Sequence, residues 1–349
     1  MIPQKHYPVN EKHLGFVMFG AKARFFGFFK IVLLLLYQYN TAIIIMYTIL
    51  LFFTDGEMSM DKILINAYAK INITLDVLKR RPDGYHELEM IMQSIDVFDS
   101  VEVKKNDTGE IRVFSDSSKV PEDRTNIAYK AAEKMLDFCG IKNGVDIYIK
   151  KRIPVAAGLA GGSADGAAVI KAIRDLFVPD EDIEKFSSLA GSIGKDLPFC
   201  LKNGTAFAYG LGDELTYIKP MPESFIVLAK PDIDVPTAMV YKALDLKKAV
   251  KRPDTKAVLE AYEKGDMDTV LKNTVNVLET VTAVKYPVIE EIKNYLVSKG
   301  ALASAMSGSG PSVYGIFESK EKADKAAEAV KEKFGIREVF STKTINPQD

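Results

Sequence analysis

The sequence predicts an α+β fold divided into two domains. Stretches with the alternating apolar pattern of strands and stretches with apolar residues at helical spacing interleave in both halves, without a strict βαβ repeat. Glycine, proline and charged residues cluster between Gly210 and Phe225, which indicates a domain boundary. The 349 residues, 47% of them hydrophobic, are enough for two separate cores. We therefore expect an N-terminal domain at residues 61–215 and a C-terminal domain at residues 216–349.

Individual elements follow from these patterns. In the N-terminal domain we predict strands at Lys62–Val77, Ser100–Lys104, Glu110–Phe114, Asp146–Lys150 and Thr205–Tyr209. Helices are predicted there at Asn126–Cys139, Ser163–Phe177 and Ile183–Ile193. In the C-terminal domain we predict strands at Phe225–Ala229, Ser304–Met306 and Ser312–Phe317. Helices are predicted there at Val235–Lys247, Thr255–Glu263, Met267–Leu271, Val288–Ser298 and Lys320–Phe334.

Charge and cysteine content exclude several classes of protein. The net charge is −1 and the pI is about 6.4, so the chain lacks the basic field that attracts nucleic acid. Cys139 and Cys200 both have apolar neighbours, and we expect them to be reduced core residues rather than a disulfide framework. No group of Cys and His residues has the spacing of a metal site.

A glycine-rich loop is the strongest chemical signal in the chain. It consists of Pro154, Val155, Ala156, Ala157, Gly158, Leu159, Ala160, Gly161, Gly162, Ser163 and Ala164. Glycines let backbone N–H groups approach a ligand, and the predicted helix that follows adds partial positive charge, so the loop suits a triphosphate. Ser163 offers a hydroxyl for phosphate or Mg²⁺. A plain surface turn is the alternative interpretation, and the sequence has neither a P-loop nor a dinucleotide fingerprint.

Two charged residues in unusual surroundings are candidates for chemistry. Asp196 lies between Lys195 and an apolar turn closed by Pro198, where a carboxylate can accept the proton of an attacking alcohol. Lys70 lies within an apolar strand pattern, where an ammonium needs a carboxylate or phosphate partner. The alternatives are an aspartate that stabilises a turn and a lysine that points to solvent from an edge strand.

A second run of small residues, Ser304–Ser312, lies near the C-terminus. Its serines and glycines allow close backbone packing, and we expect it to contact the glycine-rich loop or a substrate. An ordinary turn remains an alternative interpretation.

Together these segments resemble the GHMP kinases, the family of galactokinase, homoserine kinase and mevalonate kinase. The resemblance rests on Lys70-Ile-Asn72, Pro154–Ala164 and Met306–Gly310 in that order, and it extends from about Lys62 to about Thr344. It implies a ribosomal-protein-S5-like N-terminal domain and a ferredoxin-like C-terminal domain, with ATP, Mg²⁺ and a small-molecule alcohol bound between them. The expected oligomeric state is a monomer or a homodimer, and the expected location is the cytoplasm.

The resemblance also implies roles for individual residues. Asp196 would take the proton from a 2-hydroxyl of the acceptor, and Lys70 would pair with Asp196 and stabilise the transferring phosphoryl group. The segments Arg81–His86 and Lys195–Phe199 resemble the corresponding segments of family members whose acceptor alcohol carries a cytidine diphosphate. The residues expected to bind substrate are Asn72, Tyr85, His86 and Phe207. Those expected around the nucleotide, besides the glycine-rich loop, are Asn126 and Lys151, with Ser163 as a candidate for Mg²⁺.

Two other functions remain open at this point. The chain could be a different kinase of the family, acting on homoserine or on an intermediate of the mevalonate pathway, although Tyr85 and His86 favour a cytidine-containing substrate. It could also be a non-catalytic sensor on the same fold, which the presence of both Lys70 and Asp196 argues against.

Residues 1–60 differ in character from the rest of the chain. Ile31–Phe53 is almost continuously apolar and long enough to span a bilayer, and five basic residues precede it against one acid. That charge bias would keep the N-terminus inside and export the remainder, away from ATP. Three interpretations remain open: a membrane anchor of inverted orientation, a signal peptide, or a mis-start, in which translation is assigned to a start codon too far upstream. We favour the mis-start, with Met58 or Met60 as the true start and no membrane partner.

Overall fold

The computed structural model describes residues 61–248 and 251–346, which belong to one compact unit. The apolar run Ile31–Phe53 and the interpretations of residues 1–60 lie outside this range. Within the described range, no helix combines the length and the apolar character that a membrane span requires. Cys139 and Cys200 are free thiols, as expected; Cys200 is buried in the core, whereas Cys139 is only partly buried.

The described strands form a mixed sheet and an antiparallel sheet. They are β1 (Lys62–Arg80), β2 (His86–Asn106), β3 (Ile111–Ser115), β4 (Gly144–Lys150), β5 (Thr205–Gly210), β6 (Glu214–Tyr217), β7 (Phe225–Lys230), β8 (Val275–Asn276), β9 (Ala303–Met306), β10 (Val313–Phe317) and β11 (Glu338–Lys343). The mixed sheet runs in the order β3-β4-β2-β1-β8, with β5 also paired to β2 and β6 to β5. Strand β8 therefore brings a segment of the C-terminal half into the sheet of the N-terminal half.

Several of the described helices pack against these sheets, and others pack mainly on neighbouring helices. The described helices are α1 (Ile127–Cys139), α2 (Gly161–Phe177), α3 (Ser187–Ile193), α4 (Leu197–Lys202), α5 (Thr237–Ala243), α6 (Thr255–Lys264), α7 (Met267–Lys272), α8 (Glu279–Lys285), α9 (Val288–Ser298) and α10 (Lys320–Phe334). Helix α2 approaches α1 closely because its inner face carries small residues. A Cβ atom at Gly166 would lie 2.9 Å from a methyl carbon of Ile127.

The antiparallel sheet has the predicted ferredoxin-like arrangement. Its order is β11-β7-β10-β9, so the four strands numbered along the chain stand in the order 4-1-3-2. Helix α10 connects β10 to β11 and packs on β7 through buried Ala323, Ala326 and Val330. Such alternating strands and helices produce the α+β class that the sequence predicted.

Two predicted helices differ from the structure. The helix expected at Val235–Lys247 is only α5, Thr237–Ala243, because Leu244 already has extended backbone angles. The helix expected at Ile183–Ile193 divides into a 3₁₀ turn, Ile183–Phe186, and α3. The division of the chain near residue 215 stays a prediction.

Candidate active site

A cavity of about 1190 Å³ contains most of the residues singled out from the sequence. Cavities of this size hold one or two small-molecule ligands. Its wall includes Pro154–Ser163, Asn126, Lys151, Lys70, Asp196, Tyr85 and His86, together with Thr237, Tyr241, Gly308 and Ser309 from the C-terminal half. Of the predicted site residues, Asn72, Ala164 and Phe207 do not line it.

The glycine-rich loop has the backbone geometry of an anion-binding site. Ala156, Gly158 and Ala160 have φ values of 53°, 76° and 60°, in the left-handed region that non-glycine residues seldom adopt. Ala160 is the N-cap of α2 and provides no side-chain acceptor for the first-turn N–H groups. These groups and the helix dipole are therefore available to a phosphate in the cavity.

The loop Ser307–Gly310, which we call the serine–glycine loop, packs directly on the glycine-rich loop. The Ser307 hydroxyl donates to the carbonyl oxygen of Gly158 at 3.0 Å. A Cβ atom at Gly158 would lie 2.1 Å from the carbonyl oxygen of Ser307, so only glycine fits there. The expected contact between these two runs of small residues is confirmed.

Lys70 lies where β1 departs from regular pairing with β2. The register shifts between Tyr68 and Ala69 and again between Asn72 and Thr74. Such irregularities re-aim side chains and often occur beside active sites. In this stretch the backbone N–H of Lys70 donates to the carbonyl oxygen of Leu159 at 3.1 Å, which ties β1 to the glycine-rich loop.

The side chain of Lys70 has a different partner from the one the sequence predicted. Its ammonium is buried and donates to Oδ1 of Asn72 at 2.8 Å. Among the ion pairs of the described residues, none joins Lys70 to Asp196, although both line the cavity. Residues two apart on a strand share a face, so Asn72 is the acceptor nearest along the chain for a buried ammonium.

Asn72 lies beneath the cavity rather than in its wall. Its Oδ1 also accepts the N–H of Gly308 at 2.9 Å, and its Nδ2 contacts the sulfur of Met90 at 3.2 Å. Its own carbonyl oxygen accepts the hydroxyl of Tyr314 at 2.7 Å. With no exposed surface, Asn72 connects β1 to the serine–glycine loop instead of facing a ligand.

Asp196 lines the cavity and is only partly buried, unlike the buried Asp165. It connects α3 to α4, and its side chain accepts no capping hydrogen bond from α4. The adjacent Lys195 directs its ammonium to Asp213, at 2.6 Å, and not to Asp196. Asp196 can therefore receive a hydrogen bond from a bound alcohol.

Lys151 lies in the cavity wall but is held by two carboxylates. Its ammonium forms ion pairs with Asp99 and with Asp165, the latter at 2.8 Å. Burial disfavours the ammonium, but Asp165 and Asp99 outweigh that effect and raise the pKa of Lys151. Asp99 also accepts the backbone N–H of Ile153 at 2.8 Å, whereas Oδ1 of Asp165 has no partner. Burial raises the pKa of Asp165 to about 7 against the attraction of Lys151.

Asn126 has a structural role at the cavity wall. It is the N-cap of α1, and its Oδ1 accepts the N–H of Ala128 at 2.8 Å. Its Nδ2 donates to the carbonyl oxygen of Pro121 at 2.6 Å, and Pro121 also lines the cavity. Its side-chain amide thus positions a stretch of the wall that sequence analysis did not single out.

Aromatic rings also line the cavity. Tyr85 is 64% exposed, and the ring of His86 lies 5.3 Å from that of Tyr241 on α5. Burial and the nearby Arg80 lower the pKa of His86, so its imidazole is neutral at neutral pH. A neutral imidazole can both donate and accept a hydrogen bond, as reading the edge of a base requires.

Phe207 is on the wrong face of the sheet for the role expected of it. In β5 it stands opposite Ile91, whereas Met90, whose side chain faces the other way, lines the cavity. Its ring stacks on Tyr209 at 5.7 Å instead. Tyr241, which the sequence analysis did not single out, brings an aromatic ring into the cavity wall beside His86. It was missed because its spacing within a predicted helix is equally typical of a core residue.

Comparisons with known proteins agree with this geometry. The family model described as the GHMP kinases N-terminal domain matches residues 126–204, and that of the GHMP kinases C-terminal domain matches residues 256–336. A protein of Clostridium acetobutylicum named 4-diphosphocytidyl-2-C-methyl-D-erythritol kinase is 46% identical over 281 residues, or 80% of this chain and 99% of that protein. An identically named protein of Acetivibrio thermocellus is 49% identical over 82% of this chain and all of its own length.

The chain belongs to the GHMP kinase family. A kinase of this family takes ATP as a substrate together with a small-molecule acceptor. The crystal structure of a 4-(cytidine 5'-diphospho)-2C-methyl-D-erythritol kinase has a TM-score of 0.69 and 32% identity, covering 81% of this chain and 99% of that one. A homoserine kinase of Cytophaga hutchinsonii has a TM-score of 0.68 over 83% of this chain and 96% of its own, but only 20% identity, so it shows the shared fold alone.

Proposed function

We propose that this protein transfers the γ-phosphoryl group of ATP to the 2-hydroxyl of 4-diphosphocytidyl-2-C-methyl-D-erythritol, in the methylerythritol phosphate pathway of isoprenoid biosynthesis. One observation carries the proposal. A single cavity joins an anion-binding loop, the Lys70 and Asp196 side chains, and the aromatic group of Tyr85, His86 and Tyr241. The names of relatives 46% and 49% identical support the same substrate.

Asp196 acts as the general base in this proposal. Its carboxylate accepts the proton of the 2-hydroxyl while the hydroxyl oxygen bonds to the γ-phosphorus and the bond to the bridging oxygen of ADP breaks. Lys70 stabilises the negative charge on the transferring group, since this buried residue lines the same cavity as the glycine-rich loop. The protein itself contributes little covalent chemistry, so the rate depends mainly on how it positions the two substrates.

The cytidine end of the acceptor binds at the aromatic group. Tyr85 and Tyr241 offer ring faces for stacking, and the neutral imidazole of His86 offers a donor and an acceptor to the base edge. The triphosphate binds at the N-terminus of α2, where Ala160 leaves the first N–H groups uncapped.

The residues present fit a magnesium ion that accompanies ATP. Among residues 61–248 and 251–346 no cluster of three or more His, Cys, Asp or Glu side chains is poised for a metal. Mg²⁺ bound with phosphates needs only one or two protein oxygens. The Ser163 hydroxyl at the cavity wall and the unpartnered Oδ1 of Asp165 are of that type. When bound, the ion neutralises charge on the phosphates. We infer a cytoplasmic location from the need for ATP.

A coupled assay of ADP release tests the proposal. The chain from Met60 onward is incubated with ATP, Mg²⁺ and, separately, the cytidine diphosphate substrate, mevalonate or homoserine. We expect turnover with the first alcohol only. Turnover with homoserine or mevalonate alone would identify a different kinase of the family, and binding of ATP without turnover of any alcohol would indicate a sensor.

The variant Asp196→Asn tests the assigned base. We expect kcat to fall by several powers of ten while ATP still binds, because the amide cannot accept the proton. Asp213→Asn is the matched control, since that carboxylate pairs with Lys195 and does not line the cavity. Activity of Asp196→Asn close to that of Asp213→Asn would remove Asp196 from this role.

A further inference from the structure

Three side chains outside the cavity hold the backbone of the serine–glycine loop and the residue before it. They are Asn276, Glu279 and Thr282, each three residues from the next. Nδ2 of Asn276 donates to the carbonyl oxygens of Met306 and Gly308, at 2.8 and 2.7 Å. A carboxylate oxygen of Glu279 accepts the N–H of Met306 at 2.7 Å. The hydroxyl of Thr282 donates to the carbonyl oxygen of Ser309 at 3.1 Å.

The other side of the same loop contacts three separate parts of the site. Ser307 bonds to Gly158 of the glycine-rich loop, as described above. The N–H of Gly308 donates to Asn72, the acceptor that also holds the Lys70 ammonium. The hydroxyl of Ser309 lies 2.9 Å from that of Thr237, at the start of the helix that carries Tyr241. The loop is thus a common support for the phosphate, transfer and base-binding regions.

We propose that Asn276, Glu279 and Thr282 are positioning residues for catalysis, which set the register between the two bound substrates through the serine–glycine loop. The proposal rests on the function proposed above, since it assumes that phosphoryl transfer occurs in this cavity. None of the three lines the cavity, so each acts through the loop backbone.

The buried surroundings make these hydrogen bonds sensitive to substitution. Thr282 has no exposed surface, and Asn276 is 3% exposed. Glu279 shares an ion pair of 2.5 Å with Lys293, which keeps its carboxylate oriented toward Met306. A carbonyl group left without its donor in such a place loses a hydrogen bond without gaining water, and the loop shifts to compensate. Displacements near 1 Å in a reactive pair lower rates by roughly 10²-fold.

The pair Thr282→Val and Thr280→Val provides the test. Both threonines lie in α8, and both substitutions replace a hydroxyl by a methyl group. Thr282 donates to Ser309 in the loop, whereas Thr280 donates to Val277 in its own turn. We expect Thr282→Val to lower kcat at least tenfold with KM for ATP changed by less than about threefold, and Thr280→Val to keep the parent kcat. Hydrogen–deuterium exchange of the 306–310 segment should accelerate only in Thr282→Val.

Equal kcat in the two variants, with an active parent, would overturn the inference. An inactive parent would instead contradict the proposed function, and the exchange rates would still report whether Thr282 orders the loop. If Thr282→Val does not fold, Thr282→Ser and Glu279→Gln decide. The serine keeps the donor and should retain the parent kcat. The glutamine should lower kcat, because it loses the charge that pairs with Lys293. Parent-like kcat in Glu279→Gln would contradict the inference.

Discussion

The ammonium of Lys70 and the side-chain oxygen of Asn72 are 2.8 Å apart, buried beneath the proposed transfer site. The same oxygen accepts the N–H of Gly308, which is more than two hundred residues further along the chain. The position of the proposed catalytic lysine therefore depends on a loop of the C-terminal half. Asn72 is the residue through which that dependence acts.

Removing the Asn72 amide should impair both rate and stability. In Asn72→Ala the Lys70 ammonium and the Gly308 N–H lose their shared acceptor, and an unsatisfied buried donor costs about 1–3 kcal/mol. We expect the free energy of unfolding to fall by about that amount and kcat to fall by about tenfold or more. Asn66→Ala, at an exposed position on the same strand, is the control for chemical denaturation and kinetics. A kcat unchanged from the parent would show that Lys70 needs no such support.

Substitutions of Tyr241 and of Phe207 should differ in their effect on substrate binding. Tyr241→Leu should raise KM for the cytidine substrate about tenfold, since stacking on a base contributes about 1–3 kcal/mol. KM for ATP should not change. Phe207→Leu should leave both KM values at the parent level, because that ring stacks on Tyr209 outside the cavity. Steady-state kinetics with each substrate varied in turn distinguishes the two, and the reverse result would restore the role predicted from the sequence.

A methyl group at Gly158 should disrupt the contact between the two loops. The added Cβ would lie 2.1 Å from the carbonyl oxygen of Ser307, so one backbone must move. We expect Gly158→Ala to destabilise the protein by about 2–4 kcal/mol and to abolish most activity. Gly265→Ala is the control for backbone strain without a steric clash. Gly265 has a similar φ of 72°, and a Cβ atom added there would have nothing within 4 Å. Equal losses of stability in both variants would mean that backbone strain alone explains the effect.

The buried group of Lys151, Asp99 and Asp165 should make stability depend on pH. The pKa of Asp165 is raised by burial from 3.8 to about 7, so over this interval the folded chain holds a proton that the unfolded chain has released. The stabilisation is complete below about pH 4 and is lost as pH rises through about 7. Asp165→Asn cannot titrate and keeps the Lys151–Asp99 pair.

Thermal unfolding of the parent and Asp165→Asn at about pH 5.5 and pH 8.5 checks this dependence. The Tm of the variant minus the Tm of the parent should be about 2–4 °C larger at the higher pH than at the lower pH. Asp213→Asn, nearer the surface, should show no comparable gain. If Tm differed between variant and parent by the same amount at both pH values, Asp165 would not titrate in this range.

Much of the fold was predictable because the signals are local. Apolar spacing predicted α10 at Lys320–Phe334 and α9 at Val288–Ser298 with the bounds found in the structure. Short elements with mixed composition, such as α4 and β11, were missed because their stability comes from packing rather than from their own pattern.

The site was predictable to a different extent. The sequence pattern identified the glycine-rich loop, Lys70 and Asp196, and the resemblance to the GHMP kinases added Tyr85 and His86; apart from Ala164, these residues line one cavity. Lys70 stands out because its chemistry conflicts with a purely structural role, since an apolar strand seldom buries an unpaired ammonium. Only the tertiary structure decided which groups are partners. Lys70 pairs with Asn72, Lys151 with two aspartates, and Tyr241 rather than Phe207 contacts His86. The physical reason is that a partner depends on which face of a strand a side chain occupies and on which distant segments meet it, and neither is encoded in local spacing.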